Sequence, residues 1–165
     1  MNLEKMTNKT REALNGARQC AIEHANSELK NIHVLYALIQ DADGLANSIL
    51  TRLGINGKLF AGKVEEALSR LPRLQNGGDI YNSGEVLTLL SDTGKEADNM
   101  QDEYISVEHL LLAMLKSRSE AVKIFEECGI NTDKMLNALQ SIRGNQRVTS
   151  EDPEATFEEI GRAHV

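Results

Sequence analysis

Two segments of the chain begin with histidine and continue as an apolar run with alanine in fifth place. They are "HVLYALI" from His33 and "HLLLAML" from His109. The histidine alignment, which superposes His33 on His109, also pairs further apolar positions: Leu14 with Leu90, Ala21 with Ala97, Leu35 with Leu111, and Ala37 with Ala113. After the loss of one position, the glycine alignment superposes "LGIN" at 53–56 on "CGIN" at 128–131. These matches indicate a tandem duplication, which restricts the fold to two similar units that share one core.

The pattern within each unit is helical. Apolar residues recur at spacings of three and four from Thr7 to about Ala25, which is typical of an amphipathic helix. Low aromatic content (4%) and two prolines also favour helices over sheets. We predict an all-α fold of about eight helices in one domain over 1–142. Two four-helix units, at about 7–71 and 83–142, form a pseudo-twofold repeat.

Composition excludes several classes of partner and location. The formal charge is -7, and the lysines and arginines are scattered rather than clustered, so we expect no nucleic-acid partner. No apolar run approaches the ~20 residues that a membrane span needs, and the start "MNLEKMTNKT" does not resemble a signal peptide. We therefore predict a cytoplasmic protein without a membrane partner.

The repeated residues themselves favour structural roles. Gly54 and Gly129 follow the third helix of each repeat, where glycine commonly ends a helix. His33 and His109 start apolar helices and have no Cys or Glu partner at ligand spacing on the same turn, so we predict neither a metal nor a catalytic site. We expect both imidazoles to hydrogen-bond backbone groups at a packed helix junction.

The two cysteines leave one enzymatic alternative open. Cys20 and Cys128 lie on apolar helical positions, which suits reduced packing residues of a cytosolic protein. A small free-standing enzyme could instead use His33 or His109 with one of these thiols. That function would require a histidine within about 3 Å of a thiol in a cleft.

Three separated motifs carry a family resemblance. These are the opening "MNLEKMTNKTREAL", the central "HLLLAML" and the tail "GNQRVTSEDPEATFE". Over 1–157 the chain resembles the N-terminal double Clp-repeat domain of the ClpB-type Hsp100 disaggregases. The resemblance implies a mobile head on a homohexameric, ATP-driven unfoldase that cooperates with the DnaK system. Its partners would be unfolded or aggregated proteins, which the head engages weakly and passes to the central pore.

The same resemblance limits what this segment does alone. The chain contains no G-x-x-x-x-G-K-[ST] loop to hold phosphates, so we predict no ATPase activity and no cofactor here. ATP and Mg²⁺ would bind in ATPase modules outside the sequence. The alternative is a ClpC-type or ClpA-type unfoldase, in which the domain docks adaptor proteins and feeds a peptidase.

Three residues are candidates for client binding. Thr7 is placed to cap the first helix, and the threonine at this position in the resembling family is linked to substrate handling. Asp102 and Glu108 flank the start of the second histidine-led helix, where carboxylates interact favourably with free N–H groups. The resemblance places this acidic pair on the same face as the threonine, so capping and client binding both stay open. Clients also need an apolar groove, which we expect between the repeats, lined by Leu, Val and Met.

The end of the chain divides into two parts. Gly144, Pro153 and many polar residues predict a flexible linker over 143–157, toward an ATPase module. The last residues, "EIGRAHV", correspond to the translation of a common sequencing-adapter sequence and depart from the family pattern. We therefore expect 158–165 to be a non-native tail without function.

Overall fold

A computed structural model describes residues 3–74 and 78–144. After a short 3-10 helix at Leu3–Lys5, the described part contains eight α-helices. They are α1 Asn8–Glu23, α2 Asn31–Gln40, α3 Leu45–Arg52, α4 Gly57–Ser69, α5 Gly84–Asn99, α6 Val107–Leu115, α7 Glu120–Glu127 and α8 Thr132–Arg143. The order and approximate lengths of α1–α4 recur in α5–α8, which confirms the predicted all-α duplicated fold.

Short parallel backbone pairings join the two repeats. Strand β1 at Glu28–Leu29 pairs with β2 at Tyr81–Asn82, so that Leu29 lies opposite Asn82. A single parallel bridge joins Met6 to Ile105. The histidine alignment superposes Met6 on Asn82 and Leu29 on Ile105, so it converts one pairing into the other. Each repeat therefore holds the segment before the other repeat's first helix, as a pseudo-twofold arrangement requires.

The helices start at polar caps that recur in the two repeats. The hydroxyl of Thr7 accepts from the N–H of Thr10 at the start of α1, and Ser83 accepts from Val86 at the equivalent start of α5. Asn56 and Asn131 cap α4 and α8 with their side-chain oxygens. Each such cap stabilises the protein by about 1 kcal/mol.

One glycine follows the third helix in each repeat, at the position where we predicted the helix end. Gly54 and Gly129 have φ values of +73° and +75°, a left-handed conformation that glycine adopts without a Cβ clash. The N–H of Ile55 donates to the carbonyl of Leu50, and the N–H of Ile130 donates to that of Phe125. These bonds close a Schellman motif at each helix end.

The core lies around α2 and α6, the two histidine-led helices. Leu35 and Leu111 are fully buried, and most residues of both helices are buried. The rings of Phe60 in α4 and Phe125 in α7 meet across the repeats with centroids 5.4 Å apart. The repeats therefore share one core, as the duplication predicts.

Candidate functional site

The first histidine organises a buried, uncharged cluster in repeat one. His33 Nδ1 accepts a hydrogen bond from the backbone N–H of Lys30 at 2.9 Å, so the ring proton sits on Nε2. That Nε2–H donates to Asn26 Oδ1 at 2.8 Å. Burial lowers the pKa of His33 to about 4, which keeps the imidazole neutral near pH 7. The backbone hydrogen bond that we expected of His33 is present, and its structural role stays a prediction.

The second histidine repeats this geometry with a charged partner. His109 Nδ1 accepts from the backbone N–H of Ser106 at 2.8 Å, and Nε2 lies 2.7 Å from Asp102 Oδ2. Because Nδ1 is an acceptor, the ring is neutral and Nε2–H donates to the carboxylate. Burial lowers the pKa of His109 despite the raising effect of Asp102. The bond to Asp102 is therefore one from a neutral imidazole.

A buried arginine completes the second cluster. Arg143 Nη2 lies 2.6 Å from Asp102 Oδ1, and Nη1 donates to Glu108 Oε1. The Arg143 side chain is 8% exposed. We expected 143 to start the linker, but Arg143 is the last residue of α8 and is fixed by two ion pairs, so that boundary was wrong. Gly144, the next residue, is the C-cap of α8 with a φ of +65°, and the predicted linker and tail from 145 onward lie outside the described residues.

The acidic pair lies at the start of α6, as expected, but it also has a partner that we did not expect. Both carboxylates pair with Arg143 inside the domain. Ligand atoms of Asp102, Glu108 and His109 lie within 4.8 Å of one another, a spacing that could hold a metal ion. Arg143 already pairs with one oxygen of each carboxylate, so the arrangement fits an internal ion-pair cluster better than a cation site.

The equivalent positions of repeat one carry no charge. The histidine alignment superposes Asp102 on Asn26 and Glu108 on Ile32, and the glycine alignment superposes Arg143 on Leu68. All three of these residues in repeat one are buried, and Ile32 and Leu68 belong to the main core. The histidine-centred architecture therefore exists in an uncharged and a charged version within one molecule.

Thr7 lies beneath the surface close to the second cluster. Its side chain is fully buried, and its hydroxyl lies 2.8 Å from that of Thr10. The backbone N–H of Thr7 and the hydroxyl of Thr10 both donate to the carbonyl of Ile105. The predicted cap is confirmed, and the same bonds fix the N-terminal segment against the segment before α6.

An apolar cleft opens next to this junction, between the repeats. It has a volume of about 830 Å³ and lies between α5, the N-terminal segment and the residues before α6. Its apolar wall includes Met6, Leu14, Leu87 and Leu90, and Leu87 is 56% exposed. Charged residues also line it and form its rim: Lys5, Lys95, Asp98 and Glu103. Asp102 lines it too, but its side chain is fully buried.

A second depression lies away from the large exposed apolar side chains. It measures about 420 Å³ and lies between α1, α2 and the start of α3. The ion pair of Lys9 with Asp41, 2.9 Å long, is part of its wall. None of the large exposed apolar side chains of the described residues lines it, whereas Leu87 lines the cleft between the repeats. The cleft is therefore the stronger candidate site.

The client-binding candidates differ in their relation to this cleft. Asp102 lines it, with its side chain fully buried, whereas Thr7 and Glu108 are buried and are not among the lining residues. Their direct contact with clients stays a prediction, and their burial favours a supporting role. We missed Arg143, Asn26 and Leu87. The histidine alignment could have identified two of them. It superposes Asn26 on Asp102, and it superposes Arg11 on Leu87, so that an apolar residue replaces a charged one at an exposed helix position.

The thiols do not form a nucleophilic site with the predicted histidines. Cys20 Sγ lies 3.7 Å from Nδ1 of His24, which belongs to the same helical turn. Burial raises the pKa of Cys20 to about 11, and it also raises the pKa of Cys128. Both side chains are thus protonated near neutral pH and are poor nucleophiles. The ring nitrogens of His33 and His109 are engaged by the partners described above.

The fold and the cleft define a recognised class of domain. The chain belongs to the Clp repeat (R) N-terminal domain family, whose model matches residues 5–127. Among curated proteins it is 37% identical to the chaperone protein ClpB of Bacillus anthracis over 97% of this chain. It is 34% identical to the ClpB of Clostridium tetani, also over 97% of this chain. The chain spans 19% of the length of each of these relatives.

Solved structures confirm the same architecture. The Hsp104 N-terminal domain from Candida albicans superposes with a TM-score of 0.83 at 26% identity, covering 91% of this chain and 99% of that one. A ClpV N-domain in complex with a VipB peptide gives a TM-score of 0.67 at 20% identity, covering 83% of this chain and 86% of that one. The second likeness concerns the fold alone. In the described ranges, no helix has the length and apolar character needed to cross a bilayer.

Proposed function

We propose that this domain is the substrate-binding head of a ClpB-type protein disaggregase. The observation that carries the proposal is the apolar cleft between the repeats, with Leu87 exposed in its wall. Support comes from the ClpB relatives and from the solved ClpV N-domain, a domain of the same fold that is in complex with a peptide. The segments that an unfolded protein exposes are those that such a wall would bind.

The chemistry of the cleft suits a general and weak binder. Leu14, Leu87 and Leu90 present apolar surface without specific hydrogen-bond geometry, so many sequences would be accepted. The rim carries both signs of charge, with Lys5 and Lys95 beside Asp98 and Glu103, so no single client charge is selected. An unfolded client also loses chain entropy on binding, which keeps the affinity low and allows release.

Thr7, Asp102 and Glu108 would support this cleft through buried contacts. Thr7 holds the N-terminal segment against Ile105, and both Met6 and Ile105 line the cleft. Asp102 lines the cleft as well, and its carboxylate is held by Arg143, whose guanidinium is held in turn by Glu108. Their substitution would thus weaken client binding by loosening the walls, without loss of a direct contact.

The longer protein would supply the activity that this domain lacks. We propose that it is a homohexameric unfoldase whose ATPase modules bind ATP and Mg²⁺, and that it acts with the DnaK system on aggregated proteins in the cytoplasm. The head would hold a client near the central pore, which raises its local concentration there. The family match and the ClpB relatives support this proposal.

The test is NMR titration of the full 165-residue chain. The ligand is α-lactalbumin whose reduced cysteines are blocked with iodoacetamide, which keeps it unfolded without adding charge, and the native protein is the reference. We expect weak binding of the unfolded form only, with shifts around Leu14, Leu87 and Leu90.

Two variants separate the cleft from general stickiness. Leu87→Asp places a charge in the exposed cleft wall and should abolish the shifts. Leu59→Asp is the matched control, because Leu59 is similarly exposed at 59% but lies on α4 outside the cleft. Equal loss in both variants, or no binding by the parent chain, would contradict the proposal. The second result would favour the adaptor-docking role of a ClpC-type or ClpA-type unfoldase.

A further inference from the structure

The pseudo-twofold arrangement gives the cleft an equivalent face on the other side of the domain. The cleft lies between α5 and the N-terminal segment at Lys5 and Met6. The histidine alignment converts these elements into α1 and the strand β2. The equivalent face also carries apolar surface, since Ile22 and Tyr81 are 52% and 61% exposed. Apolar character alone therefore does not distinguish the two faces.

One residue pair does distinguish them. The Arg18 side chain leaves α1 and places its guanidinium 3.4 Å from the carbonyl oxygen of Ile80, just before β2. It thus spans from helix to strand segment across the equivalent face. The residue at the matching position of α5 is Gly94, which lines the open cleft. A Cβ built at Gly94 meets nothing within 4 Å, so packing does not require glycine there.

We infer that Gly94 keeps the cleft open and that Arg18 bridges the equivalent face from α1 to the segment before β2, so that an unfolded polypeptide is held on one face of the domain only. This inference rests on the proposed function for its polypeptide ligand. An arginine side chain covers neighbouring apolar surface with its methylene groups while its charged end reaches a polar partner. At position 94 such a side chain would extend toward the N-terminal segment, where Glu4 is the equivalent of Ile80.

The two residues can be exchanged to test the inference. Gly94→Arg should lower the affinity of the full chain for blocked, unfolded α-lactalbumin at least about tenfold, which corresponds to about 1.4 kcal/mol. Gly62→Arg is the matched control, because Gly62 is another glycine inside an α-helix with nothing within 4 Å of its Cβ. It lies on α4 away from the cleft and should leave the affinity unchanged. Arg18→Gly should produce new shifts at Ile22 and Tyr81.

A small probe separates this inference from the proposed function. Titration with 2-propanol, followed by methyl NMR, reports access to apolar surface without any client. We expect alcohol shifts at Leu87 and Leu90 in the parent chain and their loss in Gly94→Arg. At Ile22, which is already 52% exposed, we expect larger alcohol shifts in Arg18→Gly than in the parent chain. If these hold but the parent chain does not bind the unfolded protein, the proposed function fails and the cleft-opening role of Gly94 stands. Unchanged alcohol shifts in Gly94→Arg would overturn the inference.

Discussion

Replacement of Arg143 by methionine tests the buried charge cluster directly. The substitution keeps an unbranched side chain on α8 but removes both ion pairs, to Asp102 and to Glu108. Two carboxylates would then share a buried site without a cation. Removal of one partner from a buried ion pair costs about 3–5 kcal/mol, because the remaining charge stays desolvated. We expect Arg143→Met to lower the free energy of unfolding by that amount.

Repeat one provides the sequence that should repair the damage. Its equivalent residues are Asn26, Ile32 and Leu68, so the triple variant carries Asp102→Asn, Glu108→Ile and Arg143→Leu. The asparagine can still accept from His109 Nε2–H, as Asn26 does from His33. Replacement of a buried ionic triad by apolar residues is often neutral or stabilising by about 1–4 kcal/mol. We expect the free energy of unfolding of the triple variant to be at most about 2 kcal/mol below that of the parent chain, or higher than it.

Urea unfolding followed by circular dichroism measures both effects. The control is Arg70→Met, because Arg70 also approaches two carboxylates, those of Glu66 and Glu120, but its side chain is 58% exposed. Exposed ion pairs contribute about 0–1 kcal/mol, so this variant should change little. A cost below about 1 kcal/mol for Arg143→Met would refute the assigned role of the cluster. A triple variant as unstable as the single one would refute the equivalence of the repeats.

Four further substitutions or conditions test other parts of the structure. The pKa of His33 is about 4 in the folded chain against 6.5 in the unfolded chain, so the unfolded state binds more protons between these values. The free energy of unfolding should therefore fall as the pH drops from 6.5 to 4, by on the order of 3 kcal/mol. If urea titrations show the same pH dependence of stability in His33→Gln, this prediction is contradicted. Asn26→Asp should lower the free energy of unfolding by about 2–4 kcal/mol in the same assay, because repeat one has no arginine equivalent to Arg143 to pair with the new carboxylate. Gly54→Ala should lower the free energy of unfolding by about 1–2 kcal/mol, because Gly54 has a positive φ. Gly62→Ala should raise it by about 0.5–1 kcal/mol, because alanine favours the interior of α4. Equal effects of the two substitutions would exclude backbone strain at Gly54. Thr7→Ala should lower the free energy of unfolding by about 1–2 kcal/mol but leave a measurable affinity for unfolded α-lactalbumin. Complete loss of that affinity in a variant that still folds would indicate that Thr7 contacts the client directly.

Much of the fold was predictable because duplication makes each half a check on the other. The helix caps at Asn56 and Asn131 and the glycine stops at Gly54 and Gly129 are local signals, and each appears twice. The pairing of β1 with β2 was missed, since two-residue strands are too short to show alternation. Such pairs depend on how the repeats meet, which no local pattern records.

The candidate site was predictable only in part, for a similar reason. Asp102 and Glu108 stand near a helix start, where their carboxylates suggested capping. Their partner Arg143 lies 35 residues beyond Glu108 and next to Gly144, a position that suggested a linker. A long-range ion pair leaves no signal in helical periodicity. Comparison with Leu68 would have marked Arg143 as a core position on α8.

Two of the positions at which the repeats differ lie at the cleft. Gly94 replaces the equivalent of Arg18 in the wall of the cleft, and Asp102, whose equivalent is Asn26, lines that cleft while it pairs with Arg143. Neither exchange is needed for folding a duplicated unit, since repeat one has the same fold with an uncharged cluster and with Arg18 bridging its face. A fold that is symmetric by origin thus becomes asymmetric where one cleft is open. This coincidence is expected if binding, rather than stability, distinguishes the two halves.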